Sequence, residues 1–287
     1  MILIKIFSSF GDQSEMPYIY QNVFDLINLT YKHYFKFVTD DTYTHAIILN
    51  TTQPKLKDIP KEHVLGFSFE PYEYLGLNNT SINYMQKYVG SYQIGNPRND
   101  LPSVFKAYYG FQWHVQQKRN YIDTKKKCMS IIFSHKTTYE GHKYRHILIN
   151  EILTTKLPID IYGNGCKKLK IKDERIKGEF TELEPYTGYQ YSIAIENNRS
   201  SDYITEKFTN CIAMSCIPVY YGATNVEKYF GSKCYHRLTG NVKEDMKILT
   251  DICEKQTEHM YDLSNARHHL YNGDAYLPNF LVKMWCN

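Results

Sequence analysis

The stretch Tyr191–Ala223 constrains the fold more than any other part of the chain. It reads Y-S-I-A-I-E-N-N-R-S-S-D-Y-I-T-E-K-F-T-N-C-I-A-M-S-C-I-P-V-Y-Y-G-A. Tyr191, Ile193 and Ile195 alternate with small residues, the period of a short strand. Glu196–Ser201 is a run of charges and turn formers, where a chain leaves its sheet. Asp202 can cap a helix start by accepting from free backbone N–H groups. Ile204, Phe208, Cys211, Ile212 and Ser215 then recur at helical spacing. Pro218 opens a second apolar run, Val219–Tyr221, which Gly222 ends. The order strand, loop, helix, strand is a βαβ unit, and such units place ligands at the carboxyl ends of their strands. Lys207 falls in the first turn of the helix, where a cation opposes the dipole by roughly 0.3–1 kcal/mol. An anion such as phosphate at the helix start reverses that penalty. The plainer alternative is a solvated lysine, and spacing alone leaves both open.

Alternating strands and helices recur along the rest of the chain. Ile2, Ile4 and Ile6 predict a first strand and Tyr18–Tyr31 a helix. Tyr34–Val38, His45–Leu49 and His63–Phe69 read as strands, Ile82–Val89 as a helix and Tyr92–Gly95 as a strand. Phe105–Arg119 is rich in aromatics and reads as helical. After the basic break Thr124–Lys127 a second series begins. It comprises a strand at Met129–Ser134, a helix at Lys143–Leu153 with Ile147, Leu148 and Ile152 inward, and a strand at Ile159–Gly163. Lys167–Thr187 reads as loop with a short helix. Beyond the βαβ unit, Glu244–Asn272 is a long polar helical region, and the apolar tail Leu277–Trp285 can dock on a domain. The pattern predicts an α/β protein with parallel sheets covered on both faces, in two domains, residues 1–124 and 125–287.

Composition excludes several classes. With 43% hydrophobic and 22% charged residues the chain is globular and not disordered. A net charge of +4 suits a phosphate-bearing ligand without implying nucleic acid. Basic residues do not interleave regularly with aromatics, so no nucleic-acid partner is expected. The 27 tyrosines suit sugar surfaces, with an apolar face and a hydroxyl, but codon bias of an AT-rich genome, which raises Lys, Asn, Ile and Tyr together, accounts for the larger share of them. The seven cysteines are irregularly spaced without a C-x-x-C pair, which argues for reduced core residues rather than zinc. Met1–Phe10 is too short and too interrupted for a leader or anchor, so a soluble, cytoplasmic protein without a membrane anchor is expected.

Ile195-Glu196-Asn197, Asp202-Tyr203-Ile204-Thr205-Glu206-Lys207 and Ile217–Ala223 together resemble the donor-binding signature of the α-1,3-fucosyltransferases. S-H-K-T-T-Y-E-G-H-K-Y-R-H, ending at His146, resembles that family's first donor-domain segment. The resemblance implies a GT-B fold, two Rossmann-like domains facing each other across a cleft. It also implies an inverting transfer of L-fucose from GDP-fucose to a glycan hydroxyl. Carried over, Arg145 and Lys207 neutralise the two phosphates and Glu206 accepts from the ribose. Tyr203 lies near the nucleotide, and Glu196 and Asn197 near the donor sugar. For Arg145 a helix-surface salt bridge remains the alternative, and for Asn197 plain turn formation. Glu70, in Phe69-Glu70-Pro71 at a strand end, resembles the segment that supplies the general base, with Glu73 as its rival. No D-x-D triplet occurs, so a reaction without metal or cofactor is expected, with cations stabilising the departing diphosphate. The signature reports nucleotide and phosphates more than sugar. Another nucleotide sugar, such as a xylose donor, stays open, as does a non-catalytic glycan-binding module.

Overall fold

The computed structural model describes residues 1–9, 34–108, 124–255, 261–273 and 276–286. The chain forms two compact units: Met1–Gln112 with Asn272–Asn287, and Trp113–Tyr271.

The described residues of the first unit form six strands: β1 (Ile2–Phe7), β2 (Phe35–Phe37), β3 (His45–Leu49), β4 (Val64–Phe67), β5 (Ser91–Ile94) and β6 (Phe105–Ala107). They form one sheet in the order β2-β1-β3-β4-β5-β6, every pairing parallel. β3 and β4 are buried at every position, the near-continuous apolar pattern of a parallel strand covered on both faces. Between β4 and β5 lie α1 (Tyr72–Leu75) and α2 (Asn79–Tyr88). α2 starts where it does because Asn78 Oδ1 accepts from the Ser81 N–H at 2.9 Å while Ser81 Oγ accepts from the Asn78 N–H at 3.0 Å. The Tyr92 ring lies against Gly66, where a Cβ would come within 2.0 Å of it. The Tyr92 hydroxyl reaches the Asn50 carbonyl at 2.7 Å.

The second unit runs β7 (Lys127–Ile132), α3 (Glu140–Thr154), β8 (Ile159–Tyr162), β9 (Ile176–Gly178), β10 (Tyr189–Ile195), α4 (Glu206–Ala213), β11 (Ile217–Tyr221), α5 (Glu227–Phe230), β12 (His236–Arg237), α6 (Val242–Lys255) and α7 (Leu263–Asn272). Its sheet is parallel in the order β12-β11-β10-β7-β8-β9. The chain winds from β7 one way and from β10 the other, so the topological switch lies between those two strands, where doubly wound sheets take their ligands. Met129, Ile131, Leu148, Ile149, Ile152, Ile161, Ile193, Val219 and Leu249 form the centre of its core.

After α7 the chain returns to the first unit as α8 (Leu277–Trp285). Phe280 packs edge-on against Phe67, and Trp285 stacks its edge on His45 and donates to the Glu62 carbonyl at 3.2 Å. Sequence order groups this tail with residues 125–287, yet its aromatic partners His45 and Phe67 are in β3 and β4.

Several elements differ from expectation. Phe105–Ala107 is a strand, and the rest of the helix expected to Arg119 lies largely outside the described residues, as does the one expected at Tyr18–Tyr31. The polar region Lys167–Thr187 contributes the edge strand β9. Glu244–Asn272 resolves into α6 and α7. α3 begins one turn earlier than Lys143, and its inward stripe is Tyr144, Arg145, Leu148, Ile149 and Ile152. Ile147 is 57% exposed, about 130° around the helix from the centre of that stripe.

Candidate functional site

The carboxyl end of β10 gathers six of the seven residues singled out in the sequence. Glu196 is the first residue past the strand and is fully buried. Its carboxylate accepts from the Thr205 N–H at 2.7 Å and from the Thr205 hydroxyl at 2.6 Å. The Tyr220 hydroxyl donates to it at 3.4 Å and itself accepts from the Ala223 N–H at 2.9 Å. One acid therefore ties the end of β10 to the start of α4 and to the end of β11. Only a glycine fits at 222, since a Cβ there would stand 2.4 Å from Glu196 Cγ. Burial raises the pKa of Glu196, and Lys207 acts in the opposite sense.

Thr205, not Asp202, caps α4: its hydroxyl accepts from the Lys207 N–H at 3.4 Å. Asp202 takes a left-handed backbone with φ of 56°. Its carboxylate is engaged by Asn225, by Lys228 at 3.4 Å and by the Tyr229 hydroxyl. These partners lie 23 to 27 residues along the chain and so outside a local reading.

Lys207 is the second residue of α4, as its spacing predicts. Its ammonium lies 3.0 Å from Thr205 Oγ1, 3.0 Å from a Glu206 oxygen and 3.7 Å from Glu196 Oε2. Burial works against the charge, but Glu206 and Glu196 outweigh it and hold the lysine above its ordinary value. Burial likewise opposes ionisation of Glu206, and Lys207 overcomes it and keeps that carboxyl low. The Glu206 side chain is 40% exposed, the most open of the four charged groups here.

Arg145 reaches the same place from α3. Its buried guanidinium donates to the Ile195 carbonyl, the last of β10. Burial lowers its pKa while Glu196 and Glu206 oppose that; an arginine stays charged under either influence. The surface salt bridge considered for it is thereby excluded. α3 can come this close because residue 141 is glycine: a Cβ there would lie 1.8 Å from the Glu196 carbonyl oxygen. The Gly141 N–H donates to the Asn197 carbonyl at 3.0 Å, so the start of α3 and the strand end are joined directly. Tyr203 is 4% exposed, with its carbonyl 3.4 Å from the Tyr220 hydroxyl.

His142, Thr205 and Tyr220 also build the site, in roles that the sequence does not assign. His142 accepts from the Tyr139 N–H at 3.2 Å and is 3% exposed. Burial first, then Arg145, lowers its pKa to about 4 against a hydrogen bond with Asn197. The only signal for it was its place beside Gly141, in the segment that carries Arg145. The remaining residue, Glu70, belongs to the first unit. It follows β4 in a loop fixed by Asn50, whose Oδ1 accepts from the Phe69 N–H at 2.9 Å. The Ser68 hydroxyl donates to the Glu70 carbonyl at 2.8 Å. Glu73, the rival, lies in α1 and takes a hydrogen bond from Asn96.

Two cations and two carboxylates thus meet at a switch-point strand end, with two helix starts beside them. Such a place can take an anion whose charge the cations meet and whose hydroxyl groups a carboxylate accepts from. Residues 122–260 match the family model described as glycosyltransferase family 10 (fucosyltransferase), C-terminal. This segment, just under half of the chain, is therefore similar to a family 10 glycosyltransferase domain.

The domain is 30% identical over 89 residues to a fucosyltransferase-like protein of Arabidopsis thaliana, covering 31% of this chain and 16% of the relative. It is 33% identical over 84 residues to alpha-(1,3)-fucosyltransferase B of Drosophila melanogaster, covering 27% and 19%. The chain thus spans under a fifth of the length of these curated relatives. Several solved structures resemble it over nearly all of its length. The crystal structure of an alpha1,3-fucosyltransferase with GDP aligns at a TM-score of 0.54 and 11% identity over 97% of this chain and 82% of that one. Anabaena HepE, in complex with UDP-glucose, aligns at 0.61 and 13% over 98% of both. At such identities the likeness is one of fold. The chain shares with these GT-B proteins the pair of parallel-sheet α/β units. Among the described residues no helix is long and apolar enough to cross a membrane.

Proposed function

We propose that the chain is an inverting glycosyltransferase that moves L-fucose from GDP-fucose onto a glycan hydroxyl. The observation that carries the reading is the convergence of Arg145, Glu206 and Lys207 on the end of β10, within the segment that matches the family 10 model. In this reading the diphosphate takes the place of the internal carboxylate partners around Lys207. Arg145 and Lys207 then meet the charge that grows on the leaving group. Glu206 accepts from the ribose, and Asn197 and Tyr203 border the donor. Glu196 has both oxygens committed to Thr205, which makes it a positioning residue here rather than the donor-sugar contact expected from the resemblance. Glu70, from the first unit, removes the acceptor proton. A single displacement by that acceptor inverts the sugar carbon. The two cations supply the charge stabilisation for which other transferases use a metal, so the reaction needs neither metal nor cofactor.

A second donor class, the UDP-sugars, is bound on the same fold: HepE, solved with UDP-glucose, aligns with this chain. Thermal shift with GDP and UDP, followed by product mass analysis over a donor panel, separates the two. GDP should raise the melting temperature, and Arg145→Ala should abolish that shift. Glu70→Gln should keep the shift and lose turnover. Turnover of UDP-sugars alone would refute the fucose donor, and no shift with either nucleotide would refute the site.

A further inference from the structure

At the opposite, amino-terminal edge of the second sheet lies a cavity of ≈ 480 Å³ that the transfer reaction does not use. Lys126, Lys127, Lys156 and Lys177 line it, together with Tyr189 and the thiol-bearing Cys128. Two of these lysines belong to the basic run that opens the second domain in the sequence. Cys128 is the second residue of β7 and is partly exposed. Its sulfur stands 3.5 Å from that of Cys253 in α6, also partly exposed. A disulfide needs about 2.05 Å, so the two sulfurs have to close by only about 1.5 Å together. By contrast, Cys166, Cys211 and Cys234 are buried and donate to backbone carbonyls.

We propose that Cys128 and Cys253 are a reactive thiol pair that hydrogen peroxide converts into a reversible disulfide between β7 and α6. Cys128 is the attacking thiol. It lines a cavity whose charged groups are five cations, Arg175 among them, and two carboxylates, Asp160 and Glu174, a polar opening that admits a small polar oxidant. The Cys253 S–H can donate to that thiolate; this hydrogen bond holds Cys128 below its usual value against burial, and the same contact with burial pushes Cys253 up. The Cys128 thiolate attacks one peroxide oxygen, the O–O bond breaks, and hydroxide leaves a sulfenic acid behind. Cys253 sulfur then attacks the Cys128 sulfur. Its proton and the sulfenic hydroxyl depart as water, and the S–S bond forms. Low thiol pKa, access and a resolving cysteine in reach are the three requirements for such a pair. The two residues lie 125 positions apart, which no spacing rule for cysteines would connect.

The test needs only the folded chain. After treatment with peroxide the protein is quenched with an alkylating agent, unfolded and weighed, then digested with trypsin without reductant. The expected result is one crosslink, a loss of about 2 Da, joining Cys128–Lys136 to Ile248–Lys255 and released by dithiothreitol. In Cys253→Ser the same treatment should leave Cys128 as a sulfenic acid that dimedone captures. Recovery of both peptides alkylated and unlinked in the wild type would overturn the proposal. So would a crosslink through another cysteine, or dimedone capture at Cys253 in Cys128→Ser.

Discussion

Replacing Lys207 by methionine tests the electrostatics of the β10 end without any ligand. The substitution keeps most of the apolar stem and removes the charge 3.7 Å from Glu196 Oε2. At an effective dielectric of about 20, unit charges at that distance attract by about 4.5 kcal/mol. Breaking one side of a buried pair costs roughly 3–5 kcal/mol. Arg145 remains within the field of Glu196, so the lower end applies, about 3 kcal/mol near pH 7.5. For a domain of this size that is a fall in Tm of about 6–12 °C. The loss should depend on pH. The Glu196 carboxyl is already raised above its ordinary 4.5 by burial, with Lys207 pulling it down. Without Lys207 it rises further, and above 4.5 the native state then binds a proton that the unfolded chain does not. By linkage the variant gains stability relative to wild type as pH falls through that raised value. Scanning calorimetry near pH 7.5 and about pH 5.5 reads both quantities. A loss of equal size at the two pH values would refute the proposed role of Glu196, as would one below about 1 kcal/mol.

Gly141→Ala should lower Tm by more than about 5 °C, because its Cβ meets the Glu196 carbonyl oxygen and pushes α3 off the strand end; an unchanged melt would show that α3 sits farther away. His142 has a native pKa of about 4 against an ordinary 6.5. Its contribution is complete above that ordinary value and is lost as pH falls toward 4, by on the order of 2 kcal/mol. His142→Gln should therefore flatten the acid limb of the stability–pH curve, measured by urea titration, and an unchanged limb would exclude the assignment.

The two sheets are legible in the sequence because their strands are apolar runs of four to seven residues bounded by turn formers, as at β3, β8 and β10. β9 and β12 are too short and too exposed to leave such a mark. The cluster at the end of β10 is legible for a similar local reason: Glu196 through Lys207 lie within one crossover. What escapes is every role set by a partner distant in sequence. Asp202 has the chemistry of a cap, yet Tyr229 and Asn225 claim it and Thr205 caps instead. Tyr220 reads as one more apolar strand residue until its hydroxyl is found between Glu196 and Ala223. Ile147 fails as a core residue because the stripe of α3 is set by Arg145 turning inward, a preference that hydrophobic periodicity alone would reverse.

The return of α8 to the first unit bears on the order of events at the ribosome. Trp285 meets the Glu62 carbonyl 223 residues after Glu62 is made. At roughly 5–20 residues per second, the neighbourhood of β3 and β4 waits about 10–45 s for the aromatic side chains that cover it. The later-synthesised unit has its whole core in hand before then, so during translation the half that emerges first should be the last to mature.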